Sequence, residues 1–157
     1  MRKEINSRSV QQGVLLIEAL IAILIFSLGV LTIVALQATS IRLTEDARVR
    51  TTAALLANRL VGQMWSSGES IADLKSDFES GGAAYTNWLA DVSGRDGLPG
   101  VVAESTGVVS TLPTVTVDDN AGASQGQIVI TLFWRNPSMP LDQPGHRHVV
   151  TTQISRN

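Results

Sequence analysis

The 157-residue sequence contains no cysteine, so disulfide bonds cannot staple the fold and no thiol can act as a nucleophile. Proline is absent from the first 98 residues, and all five prolines lie after that point. No proline therefore breaks a helix over more than half of the chain. Only two histidines are present, so few imidazole ligands are available for a metal site.

Motifs that support catalysis or cofactor binding are missing as well. The sequence has no Gly-x-Ser-x-Gly nucleophile motif, no P-loop and no dinucleotide-binding loop. His146 and His148 would share one face of a strand, but a zinc site needs three or four ligands, so an exposed edge strand is favoured. Asp118, Asp119 and Asn120 lack the alternating spacing and closing glutamate of a calcium loop, so a turn is predicted. The sequence predicts no enzyme, no catalytic residues, no cofactor and no metal site.

The charged residues do not indicate a nucleic-acid partner. The formal net charge is −2, and Arg42, Arg48 and Arg50 are interpreted as one side of a helix rather than a binding patch. Loss of residues 1–13 would remove three basic residues and one acidic residue, which changes the net charge from −2 to −4.

The longest apolar run follows Gly13. It covers residues 14–36, and Glu18 is its only charged residue. A helix of about 20 apolar residues spans a hydrocarbon layer about 30 Å thick. A helix that is apolar on all sides could not be covered by so small a soluble domain. A transmembrane helix over residues 14–36 is therefore predicted.

Glu18 is unusual because a charged residue within a membrane helix costs about 2.5–3.5 kcal/mol near the centre and less near an end. Two interpretations are open from the residues alone. In the first, the carboxylate lies at the level of the lipid headgroups. In the second, it pairs with a cation in an apolar bundle of subunits. A chain cut after Gly13 would supply that cation, because Val14 would then carry a free amine four residues before Glu18.

The basic leader predicts the orientation in the membrane. Residues 1–12 carry three basic residues and one acidic residue, and such a segment holds its end of the first helix in the cytoplasm. The C-terminal part is therefore expected on the other side of the membrane. A secretory signal cut near Ala35 and Ala38 is the rival interpretation, but the apolar run is longer than such signals and continues into helix-compatible sequence.

Residues 37–66 stay helical but become amphipathic. Apolar residues recur there at spacings of three and four, namely Val49, Ala53, Leu56, Leu60 and Met64. Ser66-Ser67-Gly68 is the expected stop, so one helix over residues 14–66 is predicted, with weak points at Gly29 and Gly62. A break near Gln37–Ser40 would instead give two successive helices.

Residues 67–157 predict a small globular domain. Residues 67–100 are expected to be irregular apart from a short helix near Ser70–Glu79, with Tyr85, Trp88 and Leu89 as an anchor on the long helix. Three segments rich in β-branched residues predict an antiparallel meander: Val108–Val117, Gln127–Arg135 and His146–Ser155. One face of the middle strand should cover the amphipathic helix through Ile128, Ile130, Leu132 and Trp134. The predicted fold class is α+β.

The residues around Gly13 resemble the class III signal of type IV prepilins and type II secretion pseudopilins. A short basic leader ends in Gly13 and is followed by Val14-Leu-Leu-Ile-Glu18 and the apolar run. The resemblance implies cleavage after Gly13 by a membrane-embedded prepilin peptidase and N-methylation of Val14. It also implies that Glu18 aligns an incoming subunit with the amino group of its neighbour. Val14 stands where the family favours phenylalanine or methionine, and Leu15 where threonine is frequent.

Three further segments resemble the type IV pilus modification proteins, which are PilV-like minor pilins: Ser27–Leu31, Ala35–Gln37 and Ala54–Leu60. The resemblance implies a pilin-like fold, in which the long helix packs on a small antiparallel sheet. It implies a leader at residues 1–13, a single-pass helix in the bacterial inner membrane, a periplasmic domain at residues 67–157, and later residence in the pilus. Many major pilins close their C-terminal region with a disulfide, so the lack of cysteine favours a minor subunit.

These observations lead to three functional hypotheses. The first is a minor pilin that takes part in type IV pilus assembly or priming and affects adhesion or twitching motility. Its expected partners are the prepilin peptidase, the inner membrane, and other minor and major pilins contacted through the N-terminal helix. The alternative is a minor pseudopilin of a type II secretion system. The third is a single-pass anchored binding domain that keeps its leader and never polymerises.

Overall fold

The computed structural model describes residues 8–119 and 125–156. Its elements are α1 (Arg8–Ser67), α2 (Ile71–Phe78), α3 (Ala83–Val92), β1 (Thr114–Asp119), β2 (Gln125–Trp134) and β3 (His146–Ser155). A long N-terminal helix packed with a small antiparallel sheet confirms the predicted α+β layout. Most of the predicted leader and Asn120–Gly122 of the predicted turn lie outside the described residues.

The chain forms two compact units, one ending at Glu45 and one beginning at Asp46. In the first unit, every described side chain of α1 from Gly13 to Glu45 is exposed. Even its least exposed large apolar residue, Val30, is 43% accessible. Helical structure continues through Gln37–Ser40, where the alternative prediction had a break. By length and composition, α1 is the one candidate membrane-spanning helix in the described part of the chain, which is compatible with single-pass anchoring.

Hydroxyl groups in the apolar part of α1 are satisfied by the helix itself. Ser27 Oγ donates to the carbonyl of Ile23 at 2.7 Å, and Thr32 Oγ1 donates to the carbonyl of Leu28 at 2.9 Å. A hydroxyl bonded to a carbonyl one turn back needs no other partner, so these residues do not interfere with a lipid environment.

In the second unit, α1 buries one stripe of side chains against the sheet. The buried residues are Val49, Ala53, Ala57, Leu60 and Met64. Their spacings of three and four keep them on one helix face. Leu56, which was predicted within this stripe, is half-buried at its margin, and Ala57 takes the central place. Ala53 and Ala57 are both fully buried in this stripe.

The three strands form an antiparallel sheet in the order β1-β2-β3. Ile130 in the central strand pairs with Val115 of β1 and Val150 of β3. The predicted inner face of β2 is confirmed, because Ile128, Ile130, Leu132 and Trp134 are at most 3% exposed and belong to the core. Alternation along β2 leaves the opposite face half-buried or exposed, as a sheet covered on one side requires.

β1 begins at Thr114 rather than at the predicted Val108. Pro113 has no N–H to donate to a ladder, so the strand begins after it. The segment before Pro113 forms hydrogen bonds to another loop rather than to β2. Thr111 is fully buried, its N–H donates to the carbonyl of Val102 at 2.9 Å, and its hydroxyl donates to the carbonyl of Gly100 at 2.6 Å.

The predicted short helix is present as α2, and Ser70 caps it by accepting a hydrogen bond from the N–H of Asp73 at 3.2 Å. The prediction of irregular chain after it was wrong, because residues 83–92 form α3. Gly82 precedes α3 and offers no side-chain cap, so the usual start signal is missing. The informative signal was the apolar spacing of Tyr85, Trp88 and Val92, all of which are buried.

Two buried side chains connect α3 to its surroundings. The indole N–H of Trp88 donates to the carbonyl of Leu56 on α1 at 3.0 Å. The hydroxyl of Tyr85 donates to the carbonyl of Pro113 at 2.7 Å, and burial raises the pKa of this phenol. The predicted aromatic anchor on the long helix is therefore observed, with Trp88 making the direct contact.

Arg135 follows β2 and is only 4% exposed. Its Nη2 donates to the carbonyls of Val109 and Gln143 at 3.1 and 2.8 Å. The guanidinium therefore fixes the β2–β3 connection against the segment that precedes β1. Its Nε and Nη1 have no acceptor within residues 8–119 and 125–156.

We expect Trp88→Ala to lower the free energy of unfolding by about 3–5 kcal/mol, because a large buried ring leaves a cavity. Trp88→Phe keeps most of the ring but loses the hydrogen bond to Leu56, which should cost less, with about 1 kcal/mol from the bond itself. Chemical denaturation of the full chain in detergent, followed by near-UV circular dichroism, measures both. Trp65→Ala is the control, since Trp65 is 48% exposed. Equal losses for Trp65→Ala and Trp88→Ala would contradict the assigned core.

Candidate functional site

The residues predicted to carry processing and assembly lie on one turn of α1. Gly13 and Val14 are helical and exposed, and Glu18 follows one turn later. In a helix, residues four apart lie on the same side, and side chains lean towards the N-terminus. Glu18 therefore lies on the same side of α1 as Val14. No ion pair or hydrogen bond of its side chain occurs among the described residues.

The Gly13–Val14 bond is sterically open. A Cβ added at Gly13 would meet no atom within 4 Å. Glycine also weakens a helix by about 1 kcal/mol relative to alanine. Gly29 and Gly62 are equally open, so the steric surroundings alone do not distinguish Gly13 from them.

The surface around this turn is apolar in every direction. Val14, Leu15, Leu16 and Ile17 are 60–68% exposed, and similar exposures continue to Leu43. An apolar surface of this extent is not stable in water and marks a contact with lipid or with other proteins. Glu18 is the only ionisable group between Val14 and Ile41, so it is the only charge available there for recognition.

Among the described residues, the side chains that were considered as metal ligands do not come together. His146 is exposed on the edge strand β3 and stacks on Trp134 at 5.8 Å between ring centroids, while His148 is half-buried. Within the described ranges, no three histidine, aspartate or glutamate side chains come together as metal ligands would. Asp119 instead binds Lys75, with 2.8 Å between Oδ1 and Nζ. Asn120 lies outside the described residues.

Sequence reasoning missed a second polar cluster on the globular unit. Arg59 of α1 and Asp91 of α3 form an ion pair with 3.0 Å between Nη1 and Oδ2. The pair depends on α3, which was not predicted, so no linear pattern indicated it. The spacing of the apolar residues in α3 was the signal that would have revealed it.

No protein-family model, curated protein or solved structure matches the chain. The local chemistry of residues 13–18 and the α+β layout therefore carry the functional argument.

The Lys75–Asp119 pair should make stability depend on pH. The hydrogen bond from Lys75 lowers the pKa of Asp119 below 3.8, and the same bond raises the pKa of Lys75 above 10.5. The pair therefore contributes to the free energy of unfolding at pH values between 3.8 and 10.5. This contribution is lost as the pH falls through the folded-state pKa of Asp119, and it is also lost as the pH rises through the folded-state pKa of Lys75. Because the pair is exposed, the effect should be small.

Thermal unfolding of the wild type and of Asp119→Asn at about pH 7 and near pH 2 tests this expectation. The melting temperatures should differ at neutral pH and converge in acid. Asp142→Asn is the matched control, since Asp142 is exposed and its charge does not act on Lys75. A difference that persists unchanged in acid would contradict the assigned pair.

Proposed function

We propose that the chain is a minor pilin. A prepilin peptidase cuts it after Gly13, and the apolar part of α1 then carries it from the inner membrane into a type IV pilus. The observation that supports this most strongly is a single carboxylate, Glu18, placed five residues after an exposed glycine in a segment of α1, residues 14–36, that is otherwise free of charge and exposed.

The exposed helix supports assembly by lateral packing. Lipid tails are about as apolar as leucine, so moving this surface from lipid into a bundle of similar helices changes its hydrophobic energy little. Packing and polar contacts then decide whether helices associate, and in which register. Glu18 is the one residue in the apolar surface that can supply a polar contact of this kind.

Cleavage would create the partner for that contact. Before the cut, the nitrogen of Val14 is a neutral amide, and Glu18 forms no ion pair with a residue that the structure describes. After the cut, Val14 carries an ammonium group in the same apolar layer. A carboxylate and an ammonium group shielded from water compensate each other's desolvation only when they meet closely, which fixes one subunit against the next. This compensation favours the interpretation in which Glu18 pairs with a neighbouring subunit over the one in which it lies at the level of the lipid headgroups.

The second unit fits a subunit that presents a folded domain on a filament. Its core uses the amphipathic part of α1, so the domain cannot separate from the helix that anchors it. The basic leader favours a cytoplasmic N-terminus, which directs the domain to the periplasm. The segments that resemble PilV-like proteins, and the lack of cysteine, favour a minor subunit that primes assembly or affects adhesion and twitching motility.

A minor pseudopilin of a type II secretion system would use the same anchor and the same signal. Copurification separates the two machines: a minor pilin appears in pili sheared from the cell surface, and a pseudopilin appears with the secretion apparatus.

We expect mature protein extracted from membranes to begin at Val14. The intact mass should correspond to residues 14–157, with or without one methyl group, and the full-length mass should return in cells that lack the prepilin peptidase. Gly13→Val should block the cut, because a bulky residue replaces the open position, whereas Gly29→Ala should not. A chain that still begins at Met1 in cells that contain the peptidase would contradict the proposal and indicate an anchored domain that keeps its leader.

Glu18→Ala should be cut and remain in the membrane but be lost from filaments. Removing the carboxylate makes the helix easier to insert, so reduced membrane content is not expected. Mass spectrometry of membranes and of sheared pili measures the two populations separately. Glu104→Ala is the matched control, because Glu104 is an exposed carboxylate on the globular unit. Incorporation of Glu18→Ala at the wild-type level would exclude the pairing model.

A further inference from the structure

The two edge strands of the sheet differ in their surroundings. On β1, the N–H of Ser80 donates to the carbonyl of Val115 at 3.1 Å, and the N–H of Val115 donates to the hydroxyl of Ser80 at 2.8 Å. Lys75 of α2 adds its ion pair with Asp119 beside the same strand. On β3, the backbone groups that face away from β2 have no hydrogen-bond partner within residues 8–119 and 125–156. β3 therefore forms a free edge of the sheet.

The contacts of Val115 determine which residues of β3 form this free edge. In an antiparallel strand, the N–H and C=O of one residue point to one side, and those of the next residue point to the other side. Val115 bonds to Ser80, so its partner Ile130 in β2 directs its own backbone groups to Val150 of β3. The alternate residues of β3 consequently direct their N–H and C=O groups outwards, and these residues are Arg147, Val149, Thr151 and Gln153.

β3 lacks most of the features that protect a strand edge from pairing. Its ten residues contain no proline, glycine or lysine, and they pair with β2 without a bulge. All four outward residues are exposed, and Val149 is 47% accessible. A regular, exposed edge strand of this length can accept a further strand through main-chain hydrogen bonds.

The core is also less complete below β3 than below β2. Ile130 and Leu132 are completely buried, whereas their partners Val150 and His148 in β3 are half-buried. Directly opposed residues share one face of a sheet, so Val150 and His148 lie at the margin of the face that covers the core. An added strand with apolar side chains on this face would cover them further, which gives its binding a hydrophobic contribution.

The charges around β3 restrict the kind of partner. Asp142 is the last acidic residue, and residues 143–157 contain two arginines and two histidines, although the net charge of the chain is −2. Arg147 is exposed and forms no ion pair with a described residue. A second copy of β3 would bring only further basic groups, whereas a strand with a carboxylate opposite Arg147 would gain an ion pair.

We propose that the free edge of β3 binds an extended acidic segment of another protein as an added antiparallel strand. The segment bonds through its backbone to the four outward residues, and it places a carboxylate opposite Arg147 and an apolar side chain opposite Val150. Antiparallel pairing continues the pattern of the existing sheet. The inference does not depend on pilus assembly, because an anchored domain carries the same edge.

The probe is the peptide Thr-Val-Thr-Val-Val-Thr-Glu, with a fluorophore at its N-terminus and an amidated C-terminus. In antiparallel pairing its glutamate lies opposite Arg147, and its fourth residue lies opposite Val150. Fluorescence anisotropy with the full chain in a non-ionic detergent should give a Kd of about 1 mM or lower. N-methylation of the third and fifth residues removes amides that face β3 and should abolish binding. N-methylation of the second and fourth residues, which face away from β3, is the matched control and should preserve it.

Thr151→Pro tests the edge from the side of the protein. Proline removes the outward N–H at this position, and the bonds to β2 come from the neighbouring residues, so the strand should remain folded, which circular dichroism checks. Peptide binding should weaken at least about tenfold, because a main-chain hydrogen bond is lost and the ring obstructs the edge. Thr151→Ala keeps the N–H and is the matched control.

Arg147→Glu tests the charge preference without altering the backbone. The wild type should bind the peptide that ends in glutamate about two- to fivefold more tightly than the same peptide ending in lysine. Arg147→Glu should reverse this order. Equal affinities of the wild type for the two peptides would contradict the acidic partner.

Absence of binding by the glutamate peptide would overturn the proposal, and so would equal binding of the two N-methylated peptides. Light scattering of the full chain in detergent tests the other occupant. A wild type that is dimeric, beside a monomeric Thr151→Pro, would show that a second copy occupies the edge and would also overturn the proposal.

Discussion

The structure depends on how apolar side chains are distributed around α1. Between Val14 and Leu43 they occur on all sides of the helix, and no described residue of the first unit covers them. Between Val49 and Met64 they occupy one stripe, and the sheet covers that stripe. A helix surface that is apolar on all sides can be shielded from water only by lipid or by other helices. An apolar stripe can be covered by the rest of the same chain. One helix therefore contains both a segment that requires an external partner and a segment that does not.

The globular unit could not be stable without its part of α1. Three strands and two short helices form a small core, and small domains bury too little of their surface to be stable without further support. The helix supplies five fully or nearly fully buried side chains to that core. Its C-terminal end is held by Arg156, whose Nη2 donates to the carbonyl of Met64 at 2.7 Å. A cation at this position also compensates the negative end of the helix dipole.

Sequence reasoning succeeded where one element carries its own pattern. The apolar run, the stripe of α1, the inner face of β2 and the α+β layout can be read from local spacing. It failed where a distant contact decides the outcome. α3 begins after Gly82, which supplies no side-chain cap. β1 begins only after Pro113, and Thr111 before it bonds to the carbonyl of Gly100 in another loop. The residues at Gly13 and Glu18 form a linear motif and could be found, while the Arg59–Asp91 ion pair needs α1 and α3 side by side and could not.

A lone carboxylate in an apolar surface would give a direction to the proposed assembly. In lipid, Glu18 is at its least stable when no cation lies nearby, so any state that offers an ammonium group at the same depth is favoured over the dispersed state. Leader cleavage would produce that ammonium group only on processed chains. An unprocessed chain would still offer the same apolar helix but no partner for a neighbour's Glu18. Packing between apolar helices cannot by itself distinguish processed from unprocessed chains. The charge created by cleavage would therefore decide which subunits can assemble.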